Sequence, residues 1–274
     1  MQNKMRKRIG IALAALVLSS ALLPGCGAKS TSDSDEKKTI VIGCDKFEPY
    51  SYQDINGQVL GIDVELAKEA FSRLGYETQV EFVSWEEKDE DLKDGSIDCV
   101  WSCYTMTGRE DKYQWAGPYM YSRQVVAVRK DSDIEKLSDL EGKKVGVQST
   151  TYGEKVFLDP TSYGLPNVKQ LISLSSTDEL FAVLRKDYVD AIAGHEALIG
   201  QLTGDNDSNY RMLEQSPYMS QLGVAFEKGT HEDLAKELTQ TLEEMKEDGS
   251  MAEIVEEYGL DPEKVVWGGE SHEE

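Results

Sequence analysis

The chain has 274 residues, of which 39% are hydrophobic and 29% charged. This mixture is typical of a folded protein with an apolar core rather than of a disordered or multi-span membrane protein. Its 51 acidic and 29 basic residues give a formal net charge of −22, which argues against nucleic acid as a partner because binding phosphates needs clustered lysine and arginine. The four cysteines, Cys26, Cys44, Cys99 and Cys103, are too few for a disulfide scaffold, and none has zinc-finger spacing with histidines.

The N-terminal segment differs from the rest of the chain in charge and hydropathy. Four basic residues between Lys4 and Arg8 precede an apolar run from Ile9 to Leu23. This is the arrangement of a secretory signal peptide, and the run is shorter than the roughly 20 residues that a membrane-spanning helix needs. We therefore predict a signal peptide at 1–25. Removing its four cations changes the formal net charge of the chain from −22 to −26.

The end of this segment predicts a membrane anchor. The sequence Leu23-Pro24-Gly25-Cys26 resembles a bacterial lipobox, in which the cysteine receives lipid chains after cleavage just before it. The alternative is cleavage by an ordinary signal peptidase, with no role for Cys26. Residues 26–38 are small, polar and charged, so we expect a flexible tether that holds the globular part outside the cytoplasmic membrane.

The remainder of the chain alternates predicted strands and helices. Apolar runs rich in β-branched residues, and amphipathic segments with a helical period, distinguish the two classes. Strands are predicted at 39–42, 78–83, 97–101, 124–128, 144–147, 168–174, 189–193 and 222–226. Helices are predicted at 63–74, 86–93, 152–158, 176–184, 196–202, 231–246 and 250–258.

Three helix starts carry capping signals. Asp63 is expected to cap the first helix. Ser176 with Glu179, and Ser250 with Glu253, have the spacing of a capping box. The alternation of strands and helices predicts an α/β fold with mainly parallel sheets.

Two similar segments suggest that the fold has two related halves. The sequences DGSIDCV (94–100) and KDYVDAIAG (186–194) each place an aspartate just before a buried strand. Ligands of open α/β sheets bind beyond the carboxyl ends of the strands. We therefore expect a ligand site just after Val100 and Ala193.

Several segments in register carry a resemblance to a known family. Between residues 39 and 258 the chain resembles the extracellular solute-binding proteins of family 3, which are the polar amino-acid receptors of ABC importers. The matching segments are EPYSY (48–52), GIDVELAKEA (61–70), GSIDCVWS (95–102), TMTGRED (105–111), WAGPYMYS (115–122), KKVGVQSTT (143–151), VDAIAG (189–194) and DGSMAEIVEEYG (248–259).

The resemblance implies a two-lobed, periplasmic-binding-protein-like clamshell of type II, with the ligand in the cleft between the lobes. Lobe 1 would comprise 39–125 plus 221–260 and lobe 2 would comprise 126–220, followed by a C-terminal tail at 261–274. The chain would be a monomer without metal or cofactor. It would bind a polar amino acid, or a close relative such as cystine, and deliver it to the permease and ATPase subunits of a transporter.

The resemblance also assigns candidate ligand-binding residues in lobe 1. Arg109 matches the arginine that grips the ligand carboxylate, although its spacing from Thr105 is one residue shorter than usual. Gly108 would absorb the tighter turn. Phe47 matches an aromatic residue that covers the ligand. The segment with Ser102, Cys103 and Thr105 falls where the family offers backbone groups and a hydroxyl.

In lobe 2 the chain departs from the family pattern. Thr150 and Thr151 occupy the positions of a pair that donates to the carboxylate. His195 stands where an aspartate usually binds the ligand ammonium, and Glu196 follows it. Three interpretations stay open: Glu196 replaces the acid, His195 accepts from the ammonium, or the ligand is not a plain α-amino acid.

Three functions are compatible with these features. The first is a membrane-tethered receptor for an importer, with no reaction. The second is an enzyme similar to cyclohexadienyl dehydratase, in which His195 or Glu196 would act as acid or base. The third is a ligand-sensing subunit that acts on a separate protein. The signal segment, the tether and the two-lobe pattern favour the first.

Overall fold

The computed structural model describes residues 38–204 and 208–268. The predicted signal peptide, Cys26, the tether up to residue 37 and the last part of the predicted tail, 269–274, lie outside these residues. Within the described part, no helix has the length and apolar character needed to cross a membrane.

Strands and helices alternate along the chain, as predicted. The strands are β1 (Lys38–Cys44), β2 (Tyr52–Gln53), β3 (Val59–Leu60), β4 (Tyr76–Phe82), β5 (Cys99–Val100), β6 (Gln114–Arg129), β7 (Lys144–Gln148), β8 (Gln170–Leu174), β9 (Ala191–His195), β10 (Tyr210–Met212) and β11 (Tyr218–Phe226). The helices are α1 (Ile62–Arg73), α2 (Lys88–Asp94), α3 (Tyr152–Leu158), α4 (Thr177–Arg185), α5 (Glu196–Thr203), α6 (Glu232–Glu247), α7 (Ser250–Glu257) and α8 (Pro262–Val265).

One mixed sheet organises the described residues. Its strand order is β4-β1-β5-β11-β6-β9-β7-β8, and β10 pairs with β6. In one part β1 lies between β4 and β5 and is parallel to both, and in the other β7 lies between β8 and β9 in the same way. The long strands β6 and β11 pair antiparallel and join the two parts. We call β1, β4 and β5 with α1, α2, α6 and α7 the first half, and β7 to β10 with α3 to α5 the second half.

In each half an aspartate connects two neighbouring parallel strands, β5 with β1 in the first half and β9 with β7 in the second. Asp98, just before β5, accepts from the Val41 N–H at 2.7 Å, and its own N–H donates to the Val41 carbonyl at 2.8 Å. Asp190, just before β9, makes the same two bonds with Lys144, at 2.7 and 2.9 Å. These are the aspartates of the two similar sequence segments, so the repeated pattern reflects a repeated backbone contact.

Each half has its own apolar core. In the first half the core includes Leu66 and Phe71 of α1 and Leu238 of α6, each fully buried. In the second half Val145 and Val147 of β7 pack with Val156 of α3. The core of the first half also takes in Val266, just after α8, so part of the segment predicted as a C-terminal tail is packed against the fold.

Two of the three predicted helix caps differ from the structure. Helix α1 begins after Gly61, and its Ile62 and Asp63 N–H groups donate to the carbonyls of Pro49 and Tyr50. Asp63 is therefore not a cap, and its carboxylate is buried elsewhere. Ser250 is the first residue of α7 rather than its cap, because Gly249 precedes the helix.

The third cap is confirmed in half of its bonds. The Ser176 hydroxyl accepts from the Glu179 N–H at the start of α4, as a capping serine does. Glu179 reaches back to the N–H of Ser175 instead of Ser176. The strand predicted at 97–101 shortens to two residues, and the strand predicted at 124–128 is the last third of the 16-residue β6.

Candidate functional site

A cleft of about 490 Å³, measured to its open mouth, lies at the carboxyl ends of the parallel strands β1, β5, β7 and β9. Its walls come from the residues after β1 and β5, the end of β7 and the end of β9, so both sites expected after Val100 and Ala193 are part of it. The lining residues are Asp45, Phe47, Trp85, Ser102, Cys103, Tyr104, Thr105, Arg109, Gln124, Gln148, Thr151, Tyr152, Leu180, Ala193, Gly194, His195 and Leu198.

Arg109 lies between two aromatic rings of this cleft. Its guanidinium carbon is 4.9 Å from the centre of the Tyr104 ring and 5.7 Å from that of Tyr152. Its Nη1 donates to the Thr105 carbonyl at 3.0 Å, and its Nη2 donates to the Thr150 carbonyl at 2.9 Å. Gly108 has a φ of +74°, a conformation that glycine adopts without strain. The arrangement stacks and orients a planar cation that suits a carboxylate.

Two buried polar atoms of lining residues have no hydrogen-bond partner within the described protein. They are the hydroxyl of Thr105, a residue 2% exposed, and the indole Nε1 of Trp85, a residue 7% exposed. A buried polar group left unpaired costs about 1–3 kcal/mol, so native structures rarely leave one without a role. Indole Nε1 only donates, so a bound molecule would satisfy it with an acceptor.

Ser102 and Cys103 fix the loop that follows β5. The Ser102 hydroxyl accepts from the Asp45 N–H at 3.0 Å and so ties this loop to the end of β1. Cys103 has a φ of +47°, and its N–H donates to the buried Asp63 carboxylate at 2.5 Å. Burial, followed by the nearby Asp63 charge, raises the pKa of the Cys103 thiol, so the side chain is a neutral part of the wall. Cys44, Cys99 and Cys103 are all free and buried.

His195 is a neutral wall residue. Burial, followed by the charge of Arg109, lowers its pKa to about 3. Its Nδ1 lies 2.9 Å from the Ser122 hydroxyl, and the Gln124 amide also reaches the ring. The Phe47 ring meets it edge-on, with the ring centres 5.9 Å apart. Imidazole in this setting supplies no charge for a ligand ammonium.

Two of the predicted site residues lie outside the cleft lining. Glu196 points away and forms an ion pair with Arg123 at 3.1 Å. Thr150 contributes its carbonyl to Arg109 and its hydroxyl to Lys88, at 3.2 Å. Thr151 lines the cleft and also caps α3, since its hydroxyl accepts from the Glu154 N–H.

The sequence analysis missed several lining residues, of which Asp45 is the most informative. Asp45 is the acidic residue among the described lining residues. Its Oδ2 accepts from Gln148 Nε2 of the second half at 2.6 Å. Burial raises the pKa of this carboxyl group. The strand-end rule that located the segment after Val100 would also have indicated Asp45, which directly follows β1. Among the described residues no cluster suited to a metal ion is found.

Comparison with known proteins finds a matching family and several relatives. The family model of bacterial extracellular solute-binding proteins, family 3, matches residues 40–261. The chain is 27% identical over 259 residues to the L-cystine-binding protein TcyJ of Escherichia coli (strain K12), covering 90% of this chain and 95% of that protein. It is 28% identical over 268 residues to the L-cystine-binding protein TcyA of Bacillus subtilis (strain 168), covering 89% and 94%.

The fold has a solved relative of similar extent. An ancestral arginine-binding protein bound to arginine superposes with a TM-score of 0.73 at 27% identity, covering 81% of this chain and 98% of that one. This likeness extends across both halves of the sheet. The two-lobed α/β fold expected from the sequence is thereby confirmed.

Proposed function

The chain belongs to the bacterial extracellular solute-binding proteins of family 3, and we propose that it binds a polar amino acid, or a close relative such as cystine, and delivers it to an ABC transporter. One observation carries the ligand class. Arg109, held between Tyr104 and Tyr152, lies in the same cleft as the unpaired hydroxyl of Thr105. A cationic fork beside a free hydroxyl suits the carboxylate of an amino acid.

We propose that the two lobes comprise 39–125 with 221–260, and 126–220. Both segments where the lobes would connect lie in the paired strands β6 and β11, where Ser122 is opposite Ser220. Hydrogen bonds across the cleft, such as Asp45 to Gln148 and Arg109 to Thr150, support closure of one lobe on the other. Closure would bury the ligand and present a surface to the permease.

The cellular setting is also a proposal. The signal peptide at 1–25, lipid attachment at Cys26 and the tether at 26–38 would hold a monomer on the outer face of the cell membrane, beside permease and ATPase subunits. Two or more acyl chains give a stable anchor. The extracellular family and the polar composition of the tether support this arrangement.

We propose binding without a reaction. The relatives compared above are binding proteins rather than enzymes. His195, which an enzyme similar to cyclohexadienyl dehydratase would need as an acid, is neutral at pH 7 because its pKa is about 3. Glu196, the other candidate, lies outside the cleft in an ion pair. A separate sensing role has no observation of its own.

Isothermal titration calorimetry of the purified protein with the common amino acids and cystine tests the proposal. We expect at least one of them to bind with a micromolar or lower Kd, and Arg109→Ala to weaken that binding about 100-fold or more, because the carboxylate loses a charged, bidentate partner. Arg129→Ala is the matched control, since Arg129 pairs with Asp131 and Asp187 at the far end of β6. Absence of binding across the panel, or wild-type affinity in Arg109→Ala, would contradict the proposal.

A further inference from the structure

A second cation lies buried beside the cleft. Lys88, the first residue of α2, is 2% exposed. Its Nζ donates to the Trp85 carbonyl at 3.0 Å and to the Thr150 hydroxyl at 3.2 Å, and it lies 4.8 Å from the centre of the Trp85 ring. Among the described residues, no carboxylate oxygen lies within 4.0 Å of Lys88 Nζ, the limit for an ion pair. The adjacent Asp89 pairs with Lys112 instead, at 2.6 Å.

Lys88 and Arg109 act on the same part of the cleft. Both contact Thr150, one at its hydroxyl and the other at its carbonyl. Both also lie over the Tyr104 ring, with Lys88 Nζ at 5.7 Å and the Arg109 guanidinium at 4.9 Å from its centre. The Lys88 ammonium lies over the ring of Trp85. Trp85 is also the lining residue whose indole Nε1 has no acceptor.

The charges around the cleft do not balance. Arg109 and Lys88 are cations, Asp45 contributes one carboxyl group, and His195 is neutral. The Asp89 carboxylate also acts on Lys88, but it is paired with the Lys112 ammonium. Burial lowers the pKa of Lys88 to about 8, so its ammonium is still mostly protonated at pH 7. Asp89 and Asp45 act on Lys88 only from a distance, and a buried ammonium without a carboxylate in contact is costly, whereas a methionine or leucine would fill the same space without that cost. The cleft is therefore suited to a molecule with an excess of negative charge.

Building on the proposed function, we propose that the ligand is an amino acid whose side chain carries an anionic group. Its α-carboxylate would meet Arg109 and the Thr105 hydroxyl. Its side-chain anion would accept from Trp85 Nε1 and lie in the field of Lys88. Asp45 supplies the acid for the ligand ammonium, in place of the neutral His195. A neutral side chain, as in glutamine, or a cationic one, as in arginine, would bring no anion to Lys88. Cystine would bring its second carboxylate only together with a second ammonium.

Calorimetry with isosteric ligand pairs tests this inference. The pairs are L-glutamate with L-glutamine and L-aspartate with L-asparagine, which differ in charge and little in shape. We expect the anionic member of at least one pair to bind 10-fold or more tighter than its amide at pH 7. Lys88→Met should bring that ratio close to one. Lys93→Met, which removes an exposed lysine from the last turn of the same helix α2, should keep it.

A second variant keeps the test decisive if Lys88→Met does not fold. Trp85→Phe retains an aromatic wall and removes only the indole donor, so it should weaken the acidic ligand more than the amide. Equal or tighter binding of the amides, or a ratio unchanged in both Lys88→Met and Trp85→Phe, would overturn the inference. Tight binding of cystine, arginine or a neutral amino acid in preference to the acids would overturn this inference alone. A panel with no binding would contradict the proposed function as well.

Discussion

Asp63 is a buried acid that stabilises the floor of the cleft. It is 1% exposed, and its carboxylate accepts from the Cys103 N–H and from the Tyr119 hydroxyl at 2.8 Å. Burial raises the pKa of Asp63 to about 7, against the lowering effect of these two hydrogen bonds. The group therefore holds a proton in the folded protein at pH values where the unfolded chain has already lost it.

This pKa predicts a pH dependence of stability. Between about pH 4 and pH 7 the folded state binds more protons at Asp63 than the unfolded state, so the contribution of Asp63 to the free energy of unfolding falls as the pH rises. Asp63→Asn has nearly the same shape and does not titrate. We expect wild type to lose roughly 2–4 kcal/mol relative to Asp63→Asn across this range, as measured by urea unfolding at several pH values. The expectation would be contradicted if the free energy of unfolding of wild type, minus that of Asp63→Asn, stayed constant or rose with pH.

Individual site residues could be predicted unevenly from the sequence. Arg109, Phe47 and the segment from Ser102 to Thr105 fall in the cleft because they lie in short motifs after recognisable strands. Trp85 and Lys88 follow a strand of the edge, and their contacts with Tyr104 and Thr150 join distant parts of the chain. No local pattern encodes such contacts, so the sequence predicts only a polar helix at 86–93.

At the scale of elements, the start of α1 depends on Gly61. Its φ is +131°, and a Cβ added there would lie 2.2 Å from the Tyr50 carbonyl oxygen. The same carbonyl accepts from the Asp63 N–H, so it cannot move away without breaking the first turn of the helix. The first N–H groups of α1 are thus satisfied by the backbone carbonyls of Pro49 and Tyr50, rather than by the side-chain cap that the sequence predicts.

A pair of substitutions tests the role of Gly61. Gly61→Ala should lower the free energy of unfolding by more than about 3 kcal/mol, since it combines a disfavoured φ with a clash against backbone. Gly75→Ala is the matched control, because Gly75 also has a positive φ, +80°, but its Cβ would meet nothing within 4 Å. We expect about 1 kcal/mol for this control in urea unfolding. Similar losses for both would show that the Tyr50 contact is unimportant.

Helices could be predicted more closely than strands. The bounds of α3 are those predicted, and α1 and α6 begin and end within one residue of the predicted bounds, because their apolar faces follow a helical period. Strand length was less accessible. β6 runs for 16 residues through a polar segment around Ser122 and Arg123, which pairs with β11, and pairing with a distant strand decides where a strand ends.

At the scale of the molecule, a hydrogen bond beside the cleft connects the two halves. The Ser149 hydroxyl at the end of β7 donates to Glu86 of the first half at 2.6 Å. Neither residue lines the cleft, so in the proposed closure of the lobes this bond would act on closure rather than on ligand contact. In the proposed mechanism it would slow ligand release.

Removing this bond should change kinetics more than recognition. Ser149→Ala is expected to weaken ligand affinity about 3- to 10-fold, which corresponds to the typical net value of about 0.5–1.5 kcal/mol for one hydrogen bond, with most of the change in the dissociation rate. Ser173→Ala is the control, since its hydroxyl bonds to Glu154 within the second half. Stopped-flow binding measurements separate the two rates. A change confined to the association rate would contradict a role in closure.

The route of the chain through the sheet has a consequence for how the protein is assembled. All of β7, β8, β9 and β10 lie in sequence between the end of β6 and the start of β11, whereas β5, which pairs with β1 on one side, obtains its second partner only when residues 225 and 226 of β11 arrive. The second half is thus built from one continuous stretch, in which β7 pairs with the later strands β8 and β9. The first half must wait for contacts spanning more than 120 residues, and such distant pairings form slowly. A nascent chain that stops before β11 would expose the edge of β5, where aggregation begins most readily.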